Sequence, residues 1–294
     1  MSRDYIRSLV ILFLVFFLSA CASLPEEEPQ RSVATPTTGN PHVGDLRVLS
    51  LNLAHGRKDG FNQLFLNRED FEHNLADAAV LLVREDADIV ALQEADGPSR
   101  WSGGFDHVAT LAKGAGYPWF VRASHAQSWM FDYGTALLSR QAFEETLNHT
   151  FESSPPTMDK GLLLGQIRWQ KPGKDEETVA VDVISVHLDF SRNKVRQKQI
   201  GEISQLLRAR NNPVIILGDF NSEWFAEASV VKALSERAGL QVYRPESEDL
   251  GTYKDGTKRL DWILISRELK FIDYQVLDDQ ISDHRAIFAK IGFR

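Results

Sequence analysis

Four short apolar runs each end on a hydrogen-bonding or ionisable residue, and this repetition constrains the fold more than any other feature of the chain. Leu49-Ser50-Leu51 leads into Asn52, and Ile89-Val90-Ala91-Leu92-Gln93 into Glu94. Val183-Ile184-Ser185-Val186 leads into His187, and Val214-Ile215-Ile216-Leu217-Gly218 into Asp219. Short runs rich in Val, Ile and Leu read as buried strands. The core holds such a strand while its last residue faces solvent, so α/β proteins place sites at strand ends. Two later runs reverse the order: Asp261 opens one, and Asp283-His284 precedes another. If these two strands run antiparallel to the first four, all six ends meet along one sheet edge.

The strands expected on this pattern are 46–53, 88–93, 134–139, 162–169, 179–186, 214–217, 260–265 and 285–291. Helical periodicity appears at Phe71, Leu75, Ala78, Ala79 and Leu82, with Glu69 and Asp70 where the helix dipole favours acids. A second helix is expected over 195–210, stopped by Asn211-Asn212-Pro213, and a third over 224–237, before Gly239. The mixture is α/β. No internal repeat and no Pro/Ser-rich break divides residues 44–294, and about 250 residues suffice for one large core.

The first residues read as an address. Leu9 to Leu18 is an uninterrupted apolar run of about 15 Å as helix, half a bilayer core, which suits a secretory signal better than a membrane span. Leu18-Ser19-Ala20-Cys21 follows and resembles a bacterial lipobox, with Cys21 as the lipidated residue. Residues 1–20 are then a lipoprotein signal peptide. Residues 21–43, with Pro25, Pro29, Pro36, Pro41 and the Glu26-Glu27-Glu28 run, form a flexible tether. The expected location is the cell envelope, lipid-anchored. By resemblance, Ala22 after the cysteine directs the protein to the outer membrane of a two-membrane bacterium, facing the periplasm or the exterior. Cys21 is the one cysteine, so an internal disulfide and a four-cysteine zinc site are both excluded.

Asn52, Glu94, Asp219, Asn221, Asp261, Asp283, His187 and His284 make an oxygen-rich set. Carboxylates and amide oxygens without cysteine suit a hard cation, Mg2+ first and Mn2+ or Ca2+ next. A histidine moves protons at neutral pH, and a neighbouring aspartate fixes its tautomer. These ingredients suit in-line attack of water on a phosphate ester. Taken singly, Asp219 and Asn221 would serve as turn caps and Asp261 as a backbone-bonding strand opener.

The segments LRVLSLNLAHG (46–56), DIVALQEAD (88–96), VISVHLD (183–189), ILGDFNS (216–222), RLDWILIS (259–266) and SDHRAIFA (282–289) resemble, in order, the endonuclease/exonuclease/phosphatase (DNase I-like) superfamily. The superfamily includes DNase I-like nucleases, abasic-site endonucleases, bacterial sphingomyelinases and inositol polyphosphate phosphatases. GDFN and SDH are its most specific parts here. The resemblance implies a two-sheet β-sandwich flanked by helices on both outer faces. It implies Glu94 and Asn52 at the metal, with Asp283 a further acid nearby. It implies Asp219 on the attacking water, Asn221 on phosphate and water, His187 on a phosphoryl oxygen, and His284 paired with Asp261. One position departs: Ala54 stands where many nucleases of the family carry an aspartate, which removes a second nuclease-like metal contact.

Substrate selection is the least specified property. Arg100, in the loop GPSRWSGGFDH, is a candidate phosphate contact, and Lys160-Gly161 another. The aromatic-rich stretch 117–133 serves either the pocket or local packing. His42, His55, His73, His107, His125 and His149 are assigned to surface or loop positions. With 33 basic against 41 acidic residues the net charge is -8, a poor match to a protein that grips duplex DNA through a basic surface. The expected function is that of a membrane-tethered, monomeric phosphodiesterase or phosphomonoesterase acting on a lipid or small phosphoester. A metal-dependent nuclease is the alternative within the family. A non-catalytic binding lipoprotein is the alternative from another class; loss of Glu94, Asp219, Asn221 or His284 would favour it, and all four are present.

Overall fold

All eight expected strands form, and four more join them. The computed structural model describes residues 40–173 and 177–294. The apolar run at 9–18, Cys21 and the tether up to 39 lie outside the described residues, so the signal, lipidation and tether expectations are not addressed by the fold. Among the described residues no helix is long and apolar enough to cross a membrane.

The strands are β1 (Leu46–Asn52), β2 (Ile89–Asp96), β3 (Trp119–Gln127), β4 (Asp132–Ser139), β5 (Glu145–Thr150) and β6 (Gly161–Gln170). They continue as β7 (Thr178–His187), β8 (Val214–Asp219), β9 (Gln241–Val242), β10 (Asp261–Ile265), β11 (Leu269–Val276) and β12 (Ile287–Phe293). One sheet has the order β11-β12-β1-β2-β4-β3 and the other β5-β6-β7-β8-β10-β9. Each is antiparallel except for one central parallel pair, β1 with β2 and β7 with β8. β12 and β10 run antiparallel to those pairs, as the reversed order of their polar residues requires.

The four strands absent from the expected set, β3, β5, β9 and β11, are the four sheet edges. β5 reads ETLNHT and is half-exposed, so it lacks the apolar run of an interior strand. β3 and β11 carry charged residues and register shifts that blur their alternation.

A helix at each parallel crossover covers the outer face of its sheet. Helix α1 (Arg68–Glu85) starts with a capping box between Asn67 and Asp70. Helix α2 (His107–Ala115), not expected from the sequence, is capped by Asp106 and ends on left-handed Gly116. α1 and α2 bury Leu75, Leu82, Val108 and Leu111 against Leu49, Leu51, Val90 and Leu92 of the first sheet. Helix α3 (Asn193–Arg210) and helix α4 (Val230–Ala238) bury Ile200, Ile203, Val231 and Leu234 against the second. α4 begins later than expected. Ser229 caps it through Lys232 N, and Trp224 packs on Trp262 from the preceding loop, mimicking helical periodicity.

The inner faces meet in a core of Val48, Ile89, Ala91, Leu137, Val183, Ile215, Leu217, Ile263, Ile287 and Ala289. The fold is therefore a four-layer α/β sandwich, as expected.

Candidate active site

The site is the polar end of the core between the sheets. On β7, β8 and β10 the inward-facing row of Val181 and Val183, Ile215 and Leu217, and Ile263 and Ile265 is continued at the strand end by His187, Asp219 and Asp261. Strand register sets His187 opposite Asp219 and Asp219 opposite Asp261, so three ionisable groups stand side by side. All three are at most 3% exposed. Gly218 is required here: it has φ +148°, and a Cβ would collide with the Val186 carbonyl oxygen.

From the facing sheet Asn52 Nδ2 donates to Asp219 Oδ2 at 3.1 Å, and from the turn just after β8 Asn221 N donates to Oδ1 at 2.8 Å. Both oxygens of Asp219 are thus held. Asn52 Oδ1 accepts from Ala54 N at 2.9 Å, and Asn221 Nδ2 donates to Leu188 O at 3.1 Å. Beneath the site, Gln93 bridges the sheets through Ser50 and Ser185.

His284, in the segment before β12, shares a 2.8 Å hydrogen bond from Nδ1 to Asp261 Oδ2. Thr252 Oγ1 donates to the same oxygen at 2.6 Å, so the aspartate is fixed from two sides. His284 Nε2 faces Asp219 Oδ2 at 3.8 Å. Burial disfavours the imidazolium, but Asp261 and Asp219 overcome it and push the His284 pKa up to about 10. Burial pushes the Asp219 carboxyl up to about 7, with His284 opposing and Asp261 adding to the rise.

His187 has a different electrostatic setting. Its Nδ1 lies 3.4 Å from Lys160 Nζ, a buried ammonium near the Tyr133 ring. An ammonium has no lone pair, so Nδ1 is the acceptor and the proton sits on Nε2. Nε2 points between Asp219 Oδ2 at 3.6 Å and Glu94 Oε1 at 3.9 Å. Burial and then Lys160 push the His187 pKa well below its usual value, so it is neutral at pH 7. Burial also pushes the Lys160 pKa down, against Glu94 and Asp219.

Glu94 is placed by an irregularity. Alternation along β2 would aim it at the helices with Val90 and Leu92. A bulge between Gln93 and Ala95 gives that place to Ala95 and lifts Glu94, at φ +47°, into the site. His55 Nε2 lies 3.4 Å from Oε2, and His187 Nε2 is 3.9 Å from Oε1, both beyond ordinary hydrogen-bond length. Burial pushes the Glu94 carboxyl up, but His55, Lys160, His187 and His284 outweigh it and hold it well below the usual range. An ionised carboxylate with such loose contacts fits a cation ligand. A second oxygen-nitrogen group, Asp219, Asp261 and His284, has its ligand atoms within 4.8 Å of one another, but there the Asp261–His284 hydrogen bond already joins two of the three.

The structure brings together Asn52, Glu94, His187, Asp219, Asn221, Asp261 and His284. Asp283, expected as a further acid near the metal, pairs with Arg57 through Oδ2 at 2.6 Å and accepts from Ser282 Oγ at Oδ1 at 3.2 Å. Arg100 is exposed on the loop after β2. His55, assigned to the surface from sequence, stands beside Glu94. His107 and His125 are buried as well, bonded to Ser102 O and to Thr135 Oγ1. Of the aromatic stretch, Tyr133 and Phe131 join Trp101 in a cluster beside His55.

The sequence pattern of the endonuclease/exonuclease/phosphatase family matches residues 49–284, a span running from just before Asn52 to His284. The chain belongs to this family. Endonuclease/exonuclease/phosphatase proteins are hydrolases acting on phosphoester bonds, and they are generally dependent on a divalent metal. No curated protein sequence matches the chain. Solved structures of the family do. An endonuclease/exonuclease/phosphatase family protein from Leptotrichia buccalis is 20% identical, with a TM-score of 0.62 over 84% of this chain and 100% of its own. The human Nocturnin catalytic domain with bound sulfate is 18% identical, TM-score 0.62, over 87% and 97%. A mannosyl-6-phosphatase from Bacteroides thetaiotaomicron is 16% identical, TM-score 0.62, over 84% and 100%. At these identities the likeness is one of fold.

Proposed function

We propose that this chain is a divalent-metal-dependent phosphoesterase that hydrolyses a lipid or small phosphodiester or phosphomonoester by in-line attack of water. The observation that carries the reading is the setting of Asp219, buried and held by Asn52 and Asn221, with Nε2 of His187 and of His284 at 3.6 and 3.8 Å.

Glu94 and Asn52 would hold the cation, Asn52 through the free lone pair of Oδ1. Mg2+ is the first candidate and Mn2+ or Ca2+ the next, given this hard donor set. When bound, the cation neutralises negative charge on a phosphoryl oxygen and on the leaving oxygen. Asp219 accepts a hydrogen bond from the attacking water and orients it. With a carboxyl pKa near neutrality, it also accepts the water proton. His284, an imidazolium at neutral pH and fixed at Nδ1 by Asp261, holds its Nε2 proton toward Asp219 and stabilises the charge there. His187, neutral with its proton on Nε2, donates to a phosphoryl oxygen. Lys160 keeps that tautomer and brings positive charge close to the phosphate. Asn221 holds phosphate and water, and Arg100 makes an outer contact.

The acidic balance of the chain and Ala54 both favour a lipid or small phosphoester over duplex DNA. We further propose that Cys21 carries the lipid that tethers the enzyme to a membrane of the cell envelope, where it acts as a monomer. Cys21→Ser then releases the protein from membranes; continued sedimentation with them refutes this anchor.

The reaction is tested on a panel of bis-p-nitrophenyl phosphate, sphingomyelin, inositol phosphates, a sugar phosphate and plasmid DNA, each with Mg2+ and with EDTA. EDTA-sensitive turnover of a non-nucleic substrate is expected. Turnover of DNA alone transfers the assignment to a nuclease, and no turnover on any member favours a binding protein.

A further inference from the structure

We propose that Asp96 and His55 form a brace that orients Glu94, with His55 a positioning residue for the metal ligand. The inference rests on the reading of Glu94 as that ligand.

Two strained pieces of backbone from neighbouring strands meet at one contact. After β1, Ala54 and His55 are consecutive non-glycine residues at φ +46° and +58°. Each such residue is strained and persists only where its surroundings over-determine it. Here they do: Asn52 Oδ1 takes Ala54 N, Leu53 O takes Gly56 N at 2.8 Å, and Asn74 Nδ2 of α1 donates to Gly56 O at 3.0 Å. On β2 the strained residue is Glu94 itself. The contact joining the two pieces is His55 Nε2 to Glu94 Oε2, at 3.4 Å.

The imidazole cannot turn freely. Its Nδ1 pairs with Asp96 Oδ1 at 2.8 Å, Tyr133 meets it edge-on at 4.6 Å, and Trp101 covers it at 5.4 Å. Asp96 takes the Nδ1 proton, and because the ring stands between two acceptor-only carboxylates it presents a second N–H, at Nε2, to Glu94. Asp96 is 0% exposed, and its Oδ2 has no partner among the described residues. A buried carboxylate with one hydrogen bond is a costly way to fill space. An apolar side chain would pack there at lower cost, so the pair is explained by what it does to its neighbour. A carboxylate with that N–H 3.4 Å from Oε2 is biased toward one rotamer, with Oε1 on the side of His187. Outer partners of this kind typically contribute about 10- to 100-fold to metal affinity.

The test is Mn2+ binding to the full chain, measured by electron paramagnetic resonance, for the wild type and for Glu94→Ala, His55→Ala, Asp96→Asn and the His55→Ala/Asp96→Asn double variant. His55→Ala is expected to weaken Mn2+ by about 10- to 100-fold. Asp96→Asn, which leaves Glu94 and His55 in place, weakens it in the same direction, and the double variant is no worse than His55→Ala. Added imidazole restores affinity to His55→Ala, which a purely structural defect would not allow. If His55→Ala does not fold, Asp96→Asn alone decides. Unchanged affinity in Asp96→Asn, or additive losses in the double variant, overturns the brace. Wild-type affinity in Glu94→Ala refutes the metal-ligand reading instead, so the two failures are distinguishable.

Discussion

The two sheets deliver their groups to the site by opposite means. The second sheet uses regular strands: His187, Asp219 and Asp261 occupy matched register positions on β7, β8 and β10, and the period-2 alternation aims all three inward. The first sheet holds Asn52 at the end of regular β1 but delivers Glu94 and His55 on broken backbone. Glu94 rides a bulge, and His55 leaves a left-handed turn after β1. The difference follows the chemistry. Proton-handling groups must touch one another at fixed spacing, which register supplies. Glu94 belongs to a strand whose regular alternation would aim it at the helices, and the bulge turns it into the site.

This contrast can be broken by experiment. His284→Ala should give the largest effect, lowering kcat by about 100-fold or more with the Mg2+ titration midpoint unchanged and the circular dichroism spectrum intact. A shifted midpoint would show that proton carrier and metal site are not separate. Glu94→Ala should do the reverse, raising the Mg2+ concentration for half-maximal activity by at least about 10-fold, the lower bound for an outer partner. An unchanged metal titration would remove it as a ligand. Gly218→Ala sharpens the same contrast through stability, since the regular side depends on β8 passing close to Val186. A loss of about 1–3 kcal/mol in urea unfolding is expected, and an unperturbed midpoint would show the register to be tolerant. Arg100→Ala, exposed and outside the cluster, should change kcat/KM by about twofold, the usual scale of a surface substitution. A tenfold loss would move substrate binding onto that loop.

Legibility in the sequence followed burial. The eight interior strands are bordered by partners on both sides, and their apolar runs were readable. The four edge strands are half-exposed; charged residues hid β3, β5 and β11, and β9 is only two residues long. The same rule held in the site. Asn52, Glu94, His187 and Asp219 end apolar runs and could be picked out. His55 follows Leu53-Ala54 in a turn whose left-handed backbone has no compositional signature, since neither residue is Gly or Asn. Its one available signal was a partner far along the chain, Asp96, two residues beyond Glu94. Asp283 shows the converse. Its place beside His284 was legible, but Arg57, a residue 226 positions away, takes its carboxylate.

The sequence by itself determined which strands are interior, which end of each is polar and which donor chemistry gathers there, because alternation and run length are local properties. The tertiary structure decided how those groups are used. It set the proton on Nε2 of His187 through Lys160, turned Asp283 to Arg57 and brought His55 to Glu94. Each of these is a contact between distant segments, and its distance depends on how two sheets pack, which no local pattern encodes.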